Sequence, residues 1–242
     1  MSYTLFISDL HLDESRPQHL AALEHLMKEH GGVADALYIL GDLFETWIGD
    51  DNDSAFNLRA ISAFKRFSST GSKLFFMHGN RDFLLGEDFA QQAGGTLIAE
   101  RTVVNLYGTQ ALLMHGDSLC TEDEKYQQFR AMVRQPAWQQ GMLTKSLAER
   151  RAIADGMRMQ SQQNNENKAA NIMDVTPEEV VRVMEEAGVN DLIHGHTHRP
   201  NVHSVQLADR MGTRWVLGDW GNSAWLIRAS KDDIELTNFD IA

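Results

Sequence analysis

The chain has 242 residues, of which 22 are Lys or Arg and 34 are Asp or Glu, so its formal net charge is −12. Hydrophobic residues make up 43%, which is typical of a globular protein, and the acidic balance excludes a broad basic surface for nucleic acid. With Cys120 as the sole cysteine, no intrachain disulfide can form and a reducing compartment is indicated. We expect neither a secretion signal at MSYTLFISD nor a membrane-spanning helix, which needs about 18 apolar residues.

The first half of the chain alternates short apolar strands with amphipathic helices. Strands are predicted at residues 3–8, 36–40 and 73–77, and helices at 18–30, 55–69 and 83–92. From residue 96 onward strands separated by turns dominate, at 102–106, 111–114, 192–194, 214–217 and 224–227. This order predicts an α/β fold in which two packed sheets carry flanking helices, within a single domain over residues 1–242.

Residues 130–170 differ from their surroundings, because they are polar, rich in Gln and Asn, and predicted to be helical. We interpret them as an insertion. Seven basic and three acidic residues give this segment a formal charge of +4. A solvated pair of helices is the simpler interpretation, and contact with an anionic molecule is the alternative.

Five short motifs, each directly after a predicted strand, contain the residues suited to catalysis. They are SDLHL at 8–12, GDLFE at 41–45, GNRD at 79–82, HGD at 115–117 and GHTHR at 195–199. Loops at the carboxyl ends of strands in a layered α/β fold converge on one crevice. Each motif alone is a weak signal, but all five in this order indicate one site.

The site is predicted to bind two metal ions. Four imidazoles, two carboxylates and one amide oxygen form a mixed ligand set that suits Mn, Fe or Zn rather than Ca. With Asp42 as the bridge, the two ligand sets are Asp9, His11, Asp42 and His198, and Asp42, Asn80, His115 and His196. Two such ions bind phosphate oxygens and activate water for in-line attack, so we predict hydrolysis of a phosphorus ester or anhydride.

The motifs resemble those of the calcineurin-like metallophosphoesterase superfamily, whose DxH, GD, GN and GHxH pattern is present in full. The resemblance implies a four-layered αββα sandwich. Members that cleave phosphomonoesters have a proton-donating His after GN, where this chain has Arg81. An Arg cannot donate a proton but stabilises a phosphate leaving group, so a pyrophosphate is the predicted substrate class, with Asn80 and Arg81 as catalytic residues.

Longer stretches, namely GDLFETWIGDD at 41–51, MHGNRDFLLG at 77–86, LMHGDSLCTED at 113–123 and LIHGHTHRP at 192–200, are similar to the UDP-2,3-diacylglucosamine pyrophosphatase family of lipid A biosynthesis. This resemblance implies water attack on the α-phosphate of UDP-2,3-diacylglucosamine, with two Mn²⁺ ions per chain and UMP and 2,3-diacylglucosamine 1-phosphate as products. It also implies that residues 130–170 form a helical lid over the acylated sugar. The implied substrate contacts are Asn80, Arg81, Asp123, Ser161, Asn165, Lys168 and His196.

A basic lid and an amphiphilic substrate predict a peripheral protein on the cytoplasmic side of the inner membrane. The proposed contact is an apolar stripe of the lid, formed by Trp138, Met142, Leu143 and Leu147. We expect no nucleic acid and no obligate protein partner. The alternatives are a dinuclear metallophosphoesterase acting on nucleotide polyphosphates and a binding module that has lost catalysis, although the latter should have a broken ligand set.

Several other polar residues near the motifs are predicted to be structural. His78 and His194 each precede a motif glycine and are expected to support the fold rather than bind metal. Cys120 is interpreted as a packed thiol. Asp82 and Asp117 are expected to orient ligands or backbone amides, and Asp50, Asp51 and Asp53 to cap the helix that begins at residue 55.

Overall fold

Two β-sheets lie face to face in the computed structural model, which describes residues 2–165 and 174–241. The first sheet contains β1 (Tyr3–Ile7), β2 (Ala36–Leu40), β3 (Lys73–Met77), β4 (Thr96–Ile98), β10 (Ser223–Ser230) and β11 (Ile234–Asp240). Its order is β11-β10-β1-β2-β3-β4. Strands β1 to β4 are parallel to one another, whereas β10 is antiparallel to β1 and β11 is antiparallel to β10.

The second sheet contains β5 (Thr102–Leu106), β6 (Thr109–Leu113), β7 (Asp191–His194), β8 (Asn201–Gln206) and β9 (Met211–Val216). Its order is β5-β6-β7-β9-β8. The central strands β6, β7 and β9 are parallel, and the outer strands pair with them in antiparallel fashion. The parallel strands of both sheets therefore have carboxyl ends that can carry loops to a common site.

Seven α-helices surround the sheets in the described residues. They are α1 (Pro17–His30), α2 (Ala55–Ser68), α3 (Glu87–Ala93), α4 (Glu124–Val133), α5 (Pro136–Leu143), α6 (Leu147–Asn165) and α7 (Pro177–Ala187). None of them is long and apolar enough to span a bilayer. Helices α4 to α6 follow the HGD motif, and their bounds overlap the segment predicted to be helical.

Three apolar clusters separate the layers. In β1, Leu5 and Ile7 pack with α1, α2 and α3, whereas Phe6 points to the other face and contacts the second sheet. This alternation follows from the period of two along a strand, and burial on both faces explains why the strand is apolar throughout. On the second sheet, Leu192 packs against α7 through Met184. The layers are thus helix, sheet, sheet and helix, which confirms the predicted αββα sandwich.

The predicted helix at 83–92 begins too early. The chain turns through residues 80–86, and α3 starts at Glu87. Its first amides are satisfied by Asp50, whose carboxylate accepts from Gly86 N at 3.0 Å and Phe89 N at 2.8 Å. A capping residue 36 or more positions away cannot be recognised from local sequence.

The assignment of Asp50, Asp51 and Asp53 as caps of the helix at 55 is also wrong. Ser54 caps α2, because its hydroxyl accepts from Asn57 N at 3.2 Å. Asp50 caps α3, and Asp51 forms a salt bridge with Arg150 of α6.

Candidate metal centre

All seven predicted ligands lie on loops at the carboxyl ends of parallel strands. Asp9 and His11 follow β1, Asp42 follows β2, and Asn80 follows β3; His115, His196 and His198 follow β6 and β7 of the second sheet. The structure brings these residues together at the edge shared by both sheets.

One end of the site is formed by Asp9, His11 and His198. The Nε2 atoms of His11 and His198 lie 3.4 Å apart, and His198 Nε2 lies 3.5 Å from Asp9 Oδ1. One ligand atom from each of these three residues lies within 4.8 Å of the others. Such convergence of two imidazoles and a carboxylate is typical of a transition-metal site.

The other end is formed by Asn80, His115 and His196. Asn80 Oδ1 lies 3.0 Å from His115 Nε2 and 2.8 Å from His196 Nδ1. The His115 Nδ1–H donates to the carbonyl of Leu40 at 2.8 Å, which fixes the ring and directs Nε2 into the site. An amide oxygen that faces two imidazole nitrogens requires either ring protons or a cation between them.

Asp42 lies between the two ends. Its Oδ2 is 3.9 Å from His11 Nε2, and its Oδ1 is 3.7 Å from His115 Nε2. The two oxygens of one carboxylate thus face different imidazoles, which is the geometry a bridging ligand needs. Asp42 is 2% exposed, and burial raises the pKa of its carboxyl group.

The donor set fits two divalent cations. Asp9 is fully buried, and its Oδ1 accepts no hydrogen bond within the described residues. Burial disfavours the charged ring of His115, but the Asp42 and Asp117 carboxylates outweigh it and raise the pKa of His115 to about 9. Burial, together with the charge of His115, lowers the pKa of His196 to about 4. The Asp42 and Asp117 carboxylates therefore create a negative potential at His115, a residue suited to bind metal.

Backbone conformation singles out the same residues. Among the described residues, seven non-glycine positions have a positive φ, and five of them are predicted ligands: Asp9, His11, Asp42, His196 and His198. The left-handed region costs an L-residue roughly 1 kcal/mol, so it persists only where the surroundings enforce it. Strain concentrated at the ligands indicates that this fold positions them for function.

Motif glycines allow the loops to approach one another. A Cβ atom on Gly79 would lie 2.1 Å from Asp42 Oδ1, and one on Gly41, where φ is +90°, would lie 2.5 Å from His115 Nδ1. Asp82 then joins the two loops, because its carboxylate accepts from Gly79 N and Leu43 N, both at 2.7 Å. Its expected role in binding backbone amides is confirmed.

Two other expectations have different outcomes. His78 is structural as predicted, since its Nε2 lies 2.6 Å from the carbonyl of Leu85. Asp117, however, orients no ligand through a hydrogen bond within the described part of the chain. Its carboxylate accepts from Tyr126 Oη at 2.5 Å and from Arg130 Nε at 2.9 Å, so it anchors α4 beside the site.

Glu45, the last residue of the GDLFE motif, is a site residue that sequence reasoning missed. Its Oε2 lies 3.0 Å from His11 Nδ1, and its Oε1 lies 3.5 Å from Arg158 Nε of α6. Burial opposes its ionisation, but His11 and the nearby arginines prevail and lower the pKa of Glu45 to about 2. Glu45 thus links a predicted ligand to the helix above it.

A cavity of about 610 Å³ opens beside the ligand cluster. Its apolar wall combines the loops after β2 and β3 with α4 to α6, and includes Trp47, Phe83, Phe129, Trp138, Met142 and Met157. Five predicted substrate contacts line it, namely Asn80, Arg81, Asp123, Ser161 and His196. Lys168 lies outside the described residues, and only the backbone of Asn165 is described.

The predicted apolar stripe of the lid is divided between two environments. Met142 is 5% exposed, and Trp138 packs against Phe83 with ring centroids 5.9 Å apart. Leu143 remains 45% exposed. The stripe as a whole is therefore not available to a membrane, because part of it forms the cavity wall.

Comparison with known proteins decides the family. A family model described as calcineurin-like phosphoesterase matches residues 3–200. The chain is 54% identical over 238 residues to the UDP-2,3-diacylglucosamine hydrolase of Cellvibrio japonicus, with 98% of this chain and 99% of that protein covered. The chain belongs to the UDP-2,3-diacylglucosamine hydrolases of the calcineurin-like phosphoesterase family.

Other UDP-2,3-diacylglucosamine hydrolases are also similar over nearly the whole chain. The Marinobacter nauticus relative is 49% identical, with 95% of this chain and 94% of that protein covered. A solved archaeal phosphodiesterase matches with a TM-score of 0.50 and 10% identity over 98% of this chain and 99% of that one. The PH1004 protein of Pyrococcus horikoshii matches with a TM-score of 0.52 and 11% identity, covering 100% and 88%. These structural matches show a shared fold.

Proposed function

We propose that the protein hydrolyses the pyrophosphate bond of UDP-2,3-diacylglucosamine, giving UMP and 2,3-diacylglucosamine 1-phosphate. The observation that carries this proposal is the continuity between the ligand cluster and the cavity of about 610 Å³, whose far wall is apolar. Such a cavity accommodates a sugar with acyl chains, whereas a purely polar nucleotide polyphosphate would leave the apolar wall uncovered. Relatives 54% and 49% identical bear the corresponding name.

We further propose that two divalent ions occupy the site, Mn²⁺ being the ion we expect in the cell. The ligands would be Asp9, His11, Asp42 and His198 for one ion, and Asp42, Asn80, His115 and His196 for the other. When bound, such ions polarise the phosphate and activate water for in-line attack.

Arg81 is proposed to stabilise the departing phosphate. Its backbone amide donates to Asp42 Oδ1 at 2.8 Å, so the residue is fixed beside the cluster, and its side chain lines the cavity. The buried Nε atom of Arg81 has no hydrogen-bond partner within the described residues. A guanidinium donates hydrogen bonds without losing a proton, which suits a phosphate leaving group rather than an alkoxide.

Residues 130–170 are proposed to act as a lid. In this arrangement Ser161 and Asp123 contact the sugar, while Trp138, Met142 and Met157 contact acyl chains. The exposed apolar side chains of Leu143 and Met159, at 45% and 61%, together with the basic charge of the segment, support peripheral binding to the cytoplasmic side of the inner membrane. A high-salt wash of membranes should release the protein, and full retention would contradict this attachment.

The proposed function is tested by comparing two substrates in the presence of Mn²⁺. UDP-2,3-diacylglucosamine should be turned over with a much higher kcat/KM than a diadenosine polyphosphate, and in ¹⁸O-labelled water the label should enter UMP. Label in the lipid phosphate would contradict attack on the α-phosphate. Efficient hydrolysis of the dinucleotide without hydrolysis of the lipid would overturn the substrate.

A further inference from the structure

A second, smaller pocket of about 230 Å³ lies on the other side of the GHTHR loop. Asn201 and His203 of β8 and Arg214 of β9 contribute to its walls. Thr197 and Arg199 line both this pocket and the large cavity. The two spaces therefore adjoin across the loop that carries the predicted ligands His196 and His198.

The walls of the small pocket are built by strand geometry. Asn201 and His203 are two residues apart on β8, so their side chains lie on the same face of the sheet. His203 is the cross-strand partner of Arg214, which places the Arg214 side chain beside them. An amide, an imidazole and a guanidinium thus share one face, and this polar set differs from the apolar wall of the large cavity.

Arg214 has hydrogen-bonding capacity to spare. Its one hydrogen bond in the described part of the chain runs from Nη1 to His194 Nε2 at 3.3 Å, and no carboxylate there lies within salt-bridge distance. Burial lowers its pKa, which reflects the cost of a charge removed from water. A guanidinium carries five N–H donors, so most donors of Arg214, which lines the pocket, have no partner among the described residues.

Thr197 gives a second, independent indication of a ligand. Its Oγ1 is buried and has no hydrogen-bond partner among the described residues. The residue lies at the junction of the two pockets. A buried hydroxyl without a partner is unfavourable, so a bound molecule with polar atoms at this junction would satisfy it.

We propose that the small pocket binds the nucleoside half of the substrate, with the uracil base and ribose placed among Thr197, Asn201, His203 and Arg214. This inference rests on the proposed function, in which the acylated sugar fills the large cavity and the pyrophosphate lies at the metal centre. The nucleoside must then extend away from the lid. Uracil carbonyls and ribose hydroxyls match guanidinium and amide donors, whereas an acyl chain would leave these donors unpaired.

The test is direct binding of UMP and of ribose 5-phosphate to the Mn²⁺-loaded protein, measured by titration calorimetry. Both compounds carry the same sugar and phosphate, so the ratio of their affinities isolates the base from any contact with the metals. The wild type should bind UMP more tightly, and Arg214→Met should reduce this preference about tenfold or more. Arg66→Met, an equal loss of charge at an exposed residue that lines neither cavity, should preserve it.

Asn201→Ala is a second variant, at an exposed position, and it replaces Arg214→Met in the test if that protein does not fold. It too should reduce the preference for UMP over ribose 5-phosphate. A wild type with no preference for UMP, or a preference unchanged in a folded Arg214→Met protein, overturns the proposal. The proposed function fails separately. If the lipid is not hydrolysed but the preference for UMP depends on Arg214, the uridine site stands and the proposed substrate is wrong. If the lipid is hydrolysed but Arg214→Met leaves the preference for UMP unaltered, only the proposed nucleoside pocket is wrong.

Discussion

The guanidinium of Arg150, on α6, is buried against the carboxylate of Asp51, in the loop that follows β2. Nη1 of Arg150 also donates to the carbonyl of Ile48 at 2.7 Å. The same loop carries Asp42 and Glu45. One side chain therefore connects the proposed lid to the segment that forms the floor of the cavity.

Arg150→Met should weaken this connection. The substitution keeps much of the side-chain volume but removes charged hydrogen bonds and leaves the Ile48 carbonyl without this donor, so we expect a loss of roughly 2 kcal/mol in unfolding free energy. KM for the lipid substrate should rise, because α6 forms part of the cavity wall. Urea unfolding and initial-rate kinetics measure the two effects.

The neighbouring Arg151→Met is the matched control, since Arg151 is an exposed residue of the same helix. Its unfolding free energy and KM should remain close to those of the wild type. Equal behaviour of the two variants would show that Arg150 does not hold the lid in place.

Arg81→Met should lower kcat for UDP-2,3-diacylglucosamine by roughly 100-fold or more, because the departing phosphate loses a preorganised donor. KM should change much less if the contact strengthens in the transition state. Arg81→Lys should restore part of the rate. A rise in KM with kcat unaltered would instead assign Arg81 to ground-state binding of the substrate.

Cys120 should be unreactive in the folded protein. The side chain is 2% exposed, and burial, reinforced by the Asp117 carboxylate, raises the pKa of the thiol to about 12. Because the thiolate is the nucleophile and the folded pKa lies far above 8, iodoacetamide at pH 8 should label Cys120 only after denaturation. Rapid labelling of the native protein would contradict this environment, and mass spectrometry distinguishes the two results.

The strand ends and the ligand motifs could be predicted from sequence because both are local patterns. Asp9, Asp42 and Asn80 each follow an apolar strand directly, and parallel strands bring their carboxyl ends to one edge. The alternation of elements predicted two packed sheets with flanking helices, and the four-layered αββα order came from the resemblance to the calcineurin-like metallophosphoesterases. The helical character of the basic segment was also predicted from its residues alone, and helices α4 to α6 confirm it as far as residue 165.

Long-range partners were the features that sequence could not supply. The sequence predicts that Asp51 caps a helix, but Asp51 forms a salt bridge with Arg150, which lies 99 residues away in the chain. The sequence predicts that Asp117 supports His115, but its carboxylate instead accepts hydrogen bonds from Tyr126 and Arg130 of α4. Backbone strain at the ligands depends on how the loops meet, which a linear pattern does not encode.

The most direct test of the proposed reaction is UMP release from UDP-2,3-diacylglucosamine by metal-stripped protein, with and without added Mn²⁺, alongside Asp42→Ala. If Asp42 bridges two ions, wild-type protein should release UMP only after Mn²⁺ is restored, and the variant should release almost none at any Mn²⁺ concentration. Release by metal-stripped protein, or an Asp42→Ala rate equal to that of the wild type, would contradict a reaction at this metal centre.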